Sequence, residues 1–200
     1  MRIRPFNPKT IPKPRTLVDI DGSSVFDLEV GCGVGKFALA YCKAHPKRHL
    51  IAMDRSRMRM QKFKQARVSQ PHELTSNLTL ACEDFDKLWA HQLSGLAFER
   101  IFFWYPNPYP KPGQANKRWH RMPIMGSIIE SLNTGGAICL ATNEAFYAQE
   151  AKKFFVQHWQ LSLAKEDIYQ DALPFEPRTH FEKKYLARGQ KIYDLVFTKA

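Results

Sequence analysis

Four residues near the start of the chain have the types and spacing to hold a nucleotide-like ligand. Val25-Phe26-Asp27-Leu28-Glu29-Val30 runs directly into Gly31-Cys32-Gly33-Val34-Gly35-Lys36. An apolar strand, a glycine turn and a helix start in succession make a nucleotide-binding geometry. A dinucleotide fingerprint puts its third glycine three residues after the second, where Lys36 stands, whereas here the third is Gly35. Gly31, Gly33 and Gly35 after an acidic residue point to S-adenosyl-L-methionine. That ligand has no pyrophosphate to cradle, and its methionine and ribose can lie against bare backbone. Glu29, just before the turn, is placed to meet the ligand's ammonium, directly or through water.

Two further acids follow predicted strands. Asp54, after Met53, can accept both ribose hydroxyls, as the acid at that strand end does in Rossmann-type sites. In Cys82-Glu83-Asp84-Phe85 either acid can take the adenine amino group, with Asp84 favoured over Glu83. A different chemistry is offered by Tyr105-Pro106-Asn107-Pro108-Tyr109-Pro110-Lys111 and the Lys117-Arg118 pair that follows. This loop is stiffened by prolines, carries aromatic faces and has Lys111, Lys117, Arg118 and Arg121 without an acid. Aromatics suit an unstacked base and cations suit its phosphates.

Short apolar runs alternating with longer amphipathic segments must position these groups, and that alternation argues a doubly wound α/β sheet. The strand candidates are Val25–Val30, Leu50–Met53, Leu78–Cys82, Ile101–Trp104, Ala137–Ala141 and Ile192–Thr198. Helices are predicted over Lys36–Ala44, Arg57–Val68, Asp86–Gln92, Ile124–Leu132 and Ala145–Trp159. Asn133-Thr134-Gly135-Gly136 is read as the turn between the fourth helix and the fifth strand. With the glycine turn, this pattern predicts a Rossmann-like class I S-adenosylmethionine-dependent methyltransferase fold. Such a fold has a mostly parallel seven-stranded sheet with helices on both faces.

The composition sets the wider frame. At 200 residues and 44% hydrophobic content, the chain suits one domain with a sizeable core. Residues 1–20 read as a basic, proline-rich arm and residues 21–200 as the single methyltransferase domain. A net charge of +11 favours a polyanionic partner through counterion release. Neither a secretory signal nor a membrane span is legible, and the cysteines lack disulfide or zinc spacing, so the expected home is a reducing cytoplasm. The histidines form no metal-binding pair, so no metal is expected. A monomer or weak homodimer is the expected state. Arg55, Arg57, Arg59, Lys62, Lys64 and Arg67 are read either as an RNA-facing helix or as a solvated face.

The loop from Tyr105 to Arg118 resembles that of the tRNA guanine-N7 methyltransferase family, the bacterial TrmB type. That family has Phe-Pro-Asp-Pro-Trp followed by a basic run ending in Asn-Lys-Arg. Tyr105 to Tyr109 and Asn116-Lys117-Arg118 match it in order. Thr142-Asn143 with Tyr147-Ala148 is similar to the family's Thr-Asp and Tyr-Ala pair. Arg178-Thr179-His180-Phe181-Glu182 is similar to its Arg-Pro-x-Thr-Lys-Phe-Glu substrate motif, and Tyr193-Asp194-Leu195 to its closing strand. The resemblance implies methyl transfer to N7 of a guanine in the variable loop of tRNA. It implies Glu29, Asp54 and Asp84 at the cofactor, and Lys111, Arg118, Thr179 and Glu182 at the substrate, where Tyr105, Lys117, Asn143 and Arg178 are also expected.

Two of the family's acids are amides here, Asn107 and Asn143. Guanine N7 attacks through an in-plane lone pair and need lose no proton, so positioning and charge stabilisation carry such a reaction. Asn107 stands at the catalytic position, where an amide both accepts and donates. Asn107-Pro108-Tyr109 is also similar to the Asn-Pro-Pro-Tyr motif of amino-group methyltransferases. Methylation of another nucleobase, of an exocyclic amine or of a small molecule, and RNA binding with weak catalysis, are the alternative readings.

Overall fold

The structure is a computed structural model that describes residues 3–20 and 25–200. Arg2, counted with the basic arm, and residues 21–24 at its expected end lie outside the described residues. Seven strands form a mostly parallel sheet with the order β3-β2-β1-β4-β5-β7-β6. The chain divides into two compact units, Asn7–Phe102 and Phe103–Ala200 with Met1–Phe6.

The first unit contains β1 (Phe26–Val30), α1 (Lys36–Ala44), β2 (His49–Met53), α2 (Arg57–Val68), β3 (Leu78–Ala81), α3 (Phe85–His91) and the start of β4 (Phe98–Trp104). β1 is buried at every position because parallel neighbours flank both its edges, Leu28 lying opposite Ile51 on β2 and Ile101 on β4. Side chains alternate along a strand, so Asp27 and Glu29 share one face. The two acids meet different fates on it. Asp27 is fully buried and accepts hydrogen bonds from Tyr41 at 2.7 Å and twice from Arg48 at 2.5 Å. Burial of a charge is tolerable when it is paired this completely.

The arm is anchored. The Val18 N–H donates to Gln92 Oε1 at 3.0 Å, and His91 Nε2 lies 2.9 Å from the Ile11 carbonyl. The Arg15 N–H donates to Glu83 at 2.6 Å. Residues 7–20 thus run along α3, which is held from its other side by Trp89 stacked on Phe98 at 5.7 Å.

In the second unit are the end of β4, α4 (Ile124–Glu130), β5 (Leu132–Thr142), α5 (Ala145–Lys153), β6 (Ser162–Tyr169), α6 (His180–Leu186) and β7 (Ile192–Thr198). β7 runs antiparallel to both β5 and β6. The predicted turn at Asn133–Gly136 is instead the start of β5. The Gly135 N–H donates to the Lys199 carbonyl at 2.9 Å, and Gly135 adopts φ +78, a left-handed value that glycine takes without steric cost. The α-helix predicted to Trp159 ends at Lys153 and continues as a π-helical segment over Phe154–His158.

β6 and α6 had no counterpart in the sequence reading. The half-buried face of β6 carries Leu163, Lys165, Asp167 and Tyr169, so its alternation is of exposure and not of polarity. Lys165 bridges Asp167 at 2.9 Å and Asp194 on β7 at 3.0 Å, which suits a charged strand at a sheet edge. α6 buries only Glu182, so it has no apolar stripe to betray it.

Candidate active site

In the first unit the glycine turn and the strand-end acids come together. Gly31 and Gly33 adopt φ +82 and +61, and a Cβ added to either would meet nothing within 4 Å. Their bare backbone therefore borders open space. Gly35 is different: it has φ +84, caps the start of α1, and a Cβ there would overlap the buried ring of Phe63 on α2. Its lack of a side chain allows the close approach of α1 and α2.

Asp54 joins the turn to the end of β2. Its carboxylate accepts the Gly33 N–H at 3.0 Å and the Ser56 N–H at 2.8 Å. Glu29 is only 2% exposed, and its Oε2 has no hydrogen-bond partner among the described residues. Burial, with the negative charge of Asp54 adding to it, pushes the Glu29 carboxyl up to about 8. An unpartnered buried carboxylate beside open glycines fits a cationic group of a ligand, as the ammonium of S-adenosylmethionine requires.

The two acids after β3 separate cleanly. Glu83 is buried and holds the Arg15 and Asp84 N–H groups at 2.6 and 2.9 Å. Burial alone would raise its carboxyl, but those two amides and Lys87 hold it below the usual range. Glu83 is thus committed to the arm and to its own turn. The Asp84 side chain is 44% exposed and pairs with Lys87 Nζ at 2.9 Å. Of the pair, Asp84 is the one available to a ligand.

The second unit gathers the other predicted residues into two clusters. In the first, Tyr105 has φ +51 and its hydroxyl donates to Glu182 at 3.0 Å. Glu182 is fully buried and also accepts from the Arg178 side chain at 2.7 Å and its N–H at 2.5 Å. Arg178 lies 4.3 Å from the Trp104 ring, 4.7 Å from the Phe175 ring and 3.0 Å from Asp194. Burial alone would lower its guanidinium, but Glu182 and Asp194 hold it raised. The Thr179 hydroxyl accepts the Glu182 N–H at 3.0 Å, capping α6. Arg178, Thr179 and Glu182 were predicted as substrate contacts. The structure brings them together, bonded to one another and to Tyr105.

The other cluster sits under the basic loop. Arg118 is only 7% exposed, donates to the Tyr109 carbonyl at 2.8 Å and meets Glu150 at 2.5 Å. It fastens the loop to α5. Glu150, on α5, also holds His120 at 3.1 Å and Arg121. Burial would raise Glu150, yet Arg118, His120 and Arg121 bring it below the usual range. His120 is driven by burial down to about 4, although Glu150 pulls the other way, so it is neutral near pH 7. Sequence reasoning missed Glu150 and His120. The only trace was Glu150 three residues after the buried Tyr147 on a helix, a spacing that shares a face.

Above this clamp the loop is open. Asn107 is exposed, and its Oδ1 accepts the Tyr109 N–H at 3.2 Å, closing a tight turn with Tyr109 at φ +46. Lys111 and Lys117 are exposed, Lys117 lying 5.9 Å from the Tyr109 ring. Asn143, after β5, donates to Glu144 at 3.2 Å and Gln190 at 3.3 Å. Among the described residues no cluster of His, Cys, Asp or Glu could hold a metal ion, and no helix is long and apolar enough to cross a membrane.

Comparison with known proteins places these clusters in context. A family model described as "Putative methyltransferase" (Methyltransf_4) matches residues 23–195. The tRNA (guanine-N(7)-)-methyltransferase of Nitrosomonas eutropha is 26% identical over 95% of this chain and 85% of its own. The same-named enzyme of Halorhodospira halophila is 25% identical over 92% and 80%. Among solved structures, the 16S rRNA methyltransferase KamB superposes with a TM-score of 0.59 at 14% identity, covering 90% of this chain and 89% of its own. The precorrin-6y C5,15-methyltransferase of Geobacter metallireducens gives 0.59 at 13% identity, over 88% and 81%. These structures share the class I methyltransferase fold.

Proposed function

The chain belongs to the methyltransferase family whose model spans residues 23–195, and from that premise we propose that it transfers a methyl group from S-adenosylmethionine to N7 of a guanine in tRNA. The guanine is that of the variable loop, as the family resemblance implies, and the reaction runs in the cytoplasm. The geometric observation that carries the reading is the unpartnered, buried carboxylate of Glu29 beside the open backbone of Gly31 and Gly33. Since the family match runs through both units, residues 21–200 are read as one methyltransferase domain.

S-adenosylmethionine supplies an electrophilic methyl on a sulfonium. Glu29 would hold the ammonium, Asp54 the ribose hydroxyls and Asp84 the adenine edge, while Gly31 and Gly33 leave room for the chain between. Guanine N7 carries an exposed lone pair, so the protein's task is to orient the base and to favour the positive charge that grows on it. Asn107, held in its turn by the Tyr109 N–H, presents an amide whose NH2 is left for a base edge. Lys111 and Lys117 would take phosphates. Arg118, Arg178, Thr179 and Glu182 hold the surrounding chain in place.

The deciding experiment incubates the protein with methyl-labelled cofactor and total tRNA, then locates the modified nucleoside by mass spectrometry. Label in 7-methylguanosine supports the reading. Label on an exocyclic amine, or none under conditions in which the cofactor binds, rejects it.

A further inference from the structure

One charged surface is left unused by that reading. α2 and the residue pair before it carry Arg55, Arg57, Arg59, Lys62, Lys64 and Arg67, and the helix has no acid in its first turn or anywhere along it. Cations at the start of a helix oppose its dipole, and like charges three residues apart, as in Arg59/Lys62 and Lys64/Arg67, repel. Both effects weaken the helix. Among the described residues Arg59 lies 3.7 Å from Asp54 and Arg67 3.1 Å from the Thr75 carbonyl. Arg55, Arg57, Lys62 and Lys64 are exposed and make no ion pair among the described residues.

The buried residues of the helix are Met60 and Phe63, and Phe63 is the ring packed against Gly35. Arg57 and Lys64, seven residues apart, lie along one edge, about 10 Å from each other at 1.5 Å rise per residue. Arg59 and Lys62 lie along the opposite edge. Between them stand Met58, 67% exposed, and Gln61 and Gln65. The one aromatic ring of α2, Phe63, is buried, so the exposed face of the helix carries cations without rings.

We propose that the exposed face of α2 is a second RNA-contact surface, which takes the phosphodiester backbone of the substrate RNA without reading its bases. The inference rests on the tRNA reading above and adds a division of labour to it. The Tyr105 to Arg118 loop, with rings and cations together, addresses a base and its phosphates. α2, with cations alone, adds affinity that is sequence-independent and salt-sensitive.

The test compares wild type with Arg57→Gln/Lys62→Gln/Lys64→Gln and with a charge-matched control, Lys43→Gln/Lys47→Gln/Lys153→Gln. Tryptophan-fluorescence titration of unmodified tRNA over a series of salt concentrations gives the slope of log affinity against log salt. Each lost phosphate contact lowers that slope by ~0.7 to 0.9, so the α2 variant should lose about 2 and bind roughly tenfold more weakly at moderate salt. The control should keep most of the wild-type slope. The α2 variant should also raise KM for tRNA at unchanged kcat and keep its thermal shift with S-adenosylhomocysteine. Equal slopes for wild type and the α2 variant overturn the inference, as does an equal loss in the control, which would leave only net charge. The tRNA reading is scored separately, on methyl transfer by the wild type. RNA binding without transfer, weakened in the α2 variant alone, sustains the surface while removing that reading.

Discussion

The hydroxyl of Tyr105, at the mouth of the basic loop, donates a 3.0 Å hydrogen bond to the buried carboxylate of Glu182 on α6. Burial and the Glu182 charge raise the Tyr105 phenol far above its ordinary value, so it is always a donor. Removing the hydroxyl in Tyr105→Phe should cost about 1 kcal/mol of stability. Glu182→Ala should cost ~3 kcal/mol, because it takes the main partner from the partly buried Arg178 guanidinium, which keeps Asp194 at 3.0 Å. Denaturant midpoints check both. If Glu182 were a substrate contact and not a brace, its removal would raise KM for tRNA and leave the midpoint in place.

The three glycines of the turn should separate by function. Gly33→Ala puts a left-handed conformation on a residue with a Cβ, a cost of about 1 to 2 kcal/mol, and fills space the ligand needs. The variant should fold yet lose its thermal shift with S-adenosylhomocysteine. Gly35→Ala should instead lower the melting temperature of the free protein, since its Cβ overlaps Phe63. Differential scanning fluorimetry with and without the ligand distinguishes the two.

Glu29 should give the free protein a stability that falls with pH. Its carboxyl lies at about 8 in the fold against an ordinary 4.5, so the folded state binds the extra proton between those values. Stability from this group is therefore full below the unfolded value and is lost as pH rises through the folded one. Relative to Glu29→Gln, the wild type should lose melting temperature between about pH 5 and about pH 8. A bound ammonium favours the carboxylate, so cofactor affinity should rise over the same window in the wild type only, as calorimetric titration at several pH values would report.

Asn107→Asp should keep the turn, because a carboxylate oxygen can accept the Tyr109 N–H as the amide oxygen does at 3.2 Å. It also restores a negative charge beside the purine as it becomes cationic. kcat/KM for 7-methylguanosine formation should rise roughly tenfold, equivalent to about 1.4 kcal/mol in the transition state. No gain would mean that Asn107 is held for its donor.

Glu150 is the common partner of Arg118, His120 and Arg121. Glu150→Ala should destabilise the protein by about 3 kcal/mol, since it strands the buried Arg118 guanidinium. Glu150→Gln should recover part of this through its remaining acceptor oxygen. Limited proteolysis of the 105–118 loop would reveal whether the clamp also fixes the loop, with faster cleavage expected in the alanine variant.

Much of this was legible along the chain. The glycine spacing, the acids that end successive strands and the apolar runs are local signals, and β1, β2, β3, α1 and α2 fall where those signals put them within a residue or so. β6 and α6 were hidden because each is held by charge. Lys165 and Asp167 occupy the inner face of β6, and the only buried residue of α6 is Glu182. Periodicity reports apolar burial, and paired charges can be buried without it. One signal for α6 was present, Thr179 followed three residues later by Glu182, which forms a capping pair.

Local sequence signals set the fold class, the ligand class and the polar residues on which the chemistry must draw. Which of those residues remain free follows from the packing of distant segments. Glu29 and Asp27 are two residues apart on one strand, yet Arg48 and Tyr41 satisfy Asp27 and nothing among the described residues satisfies Glu29 Oε2. Asp84 is available and Glu83 is tied to Arg15; Lys117 is exposed and Arg118 is locked to Glu150. Neighbours in sequence were separated by partners that fold in from distant positions. A residue's type is fixed locally, whereas its spare hydrogen-bonding capacity depends on everything that packs against it.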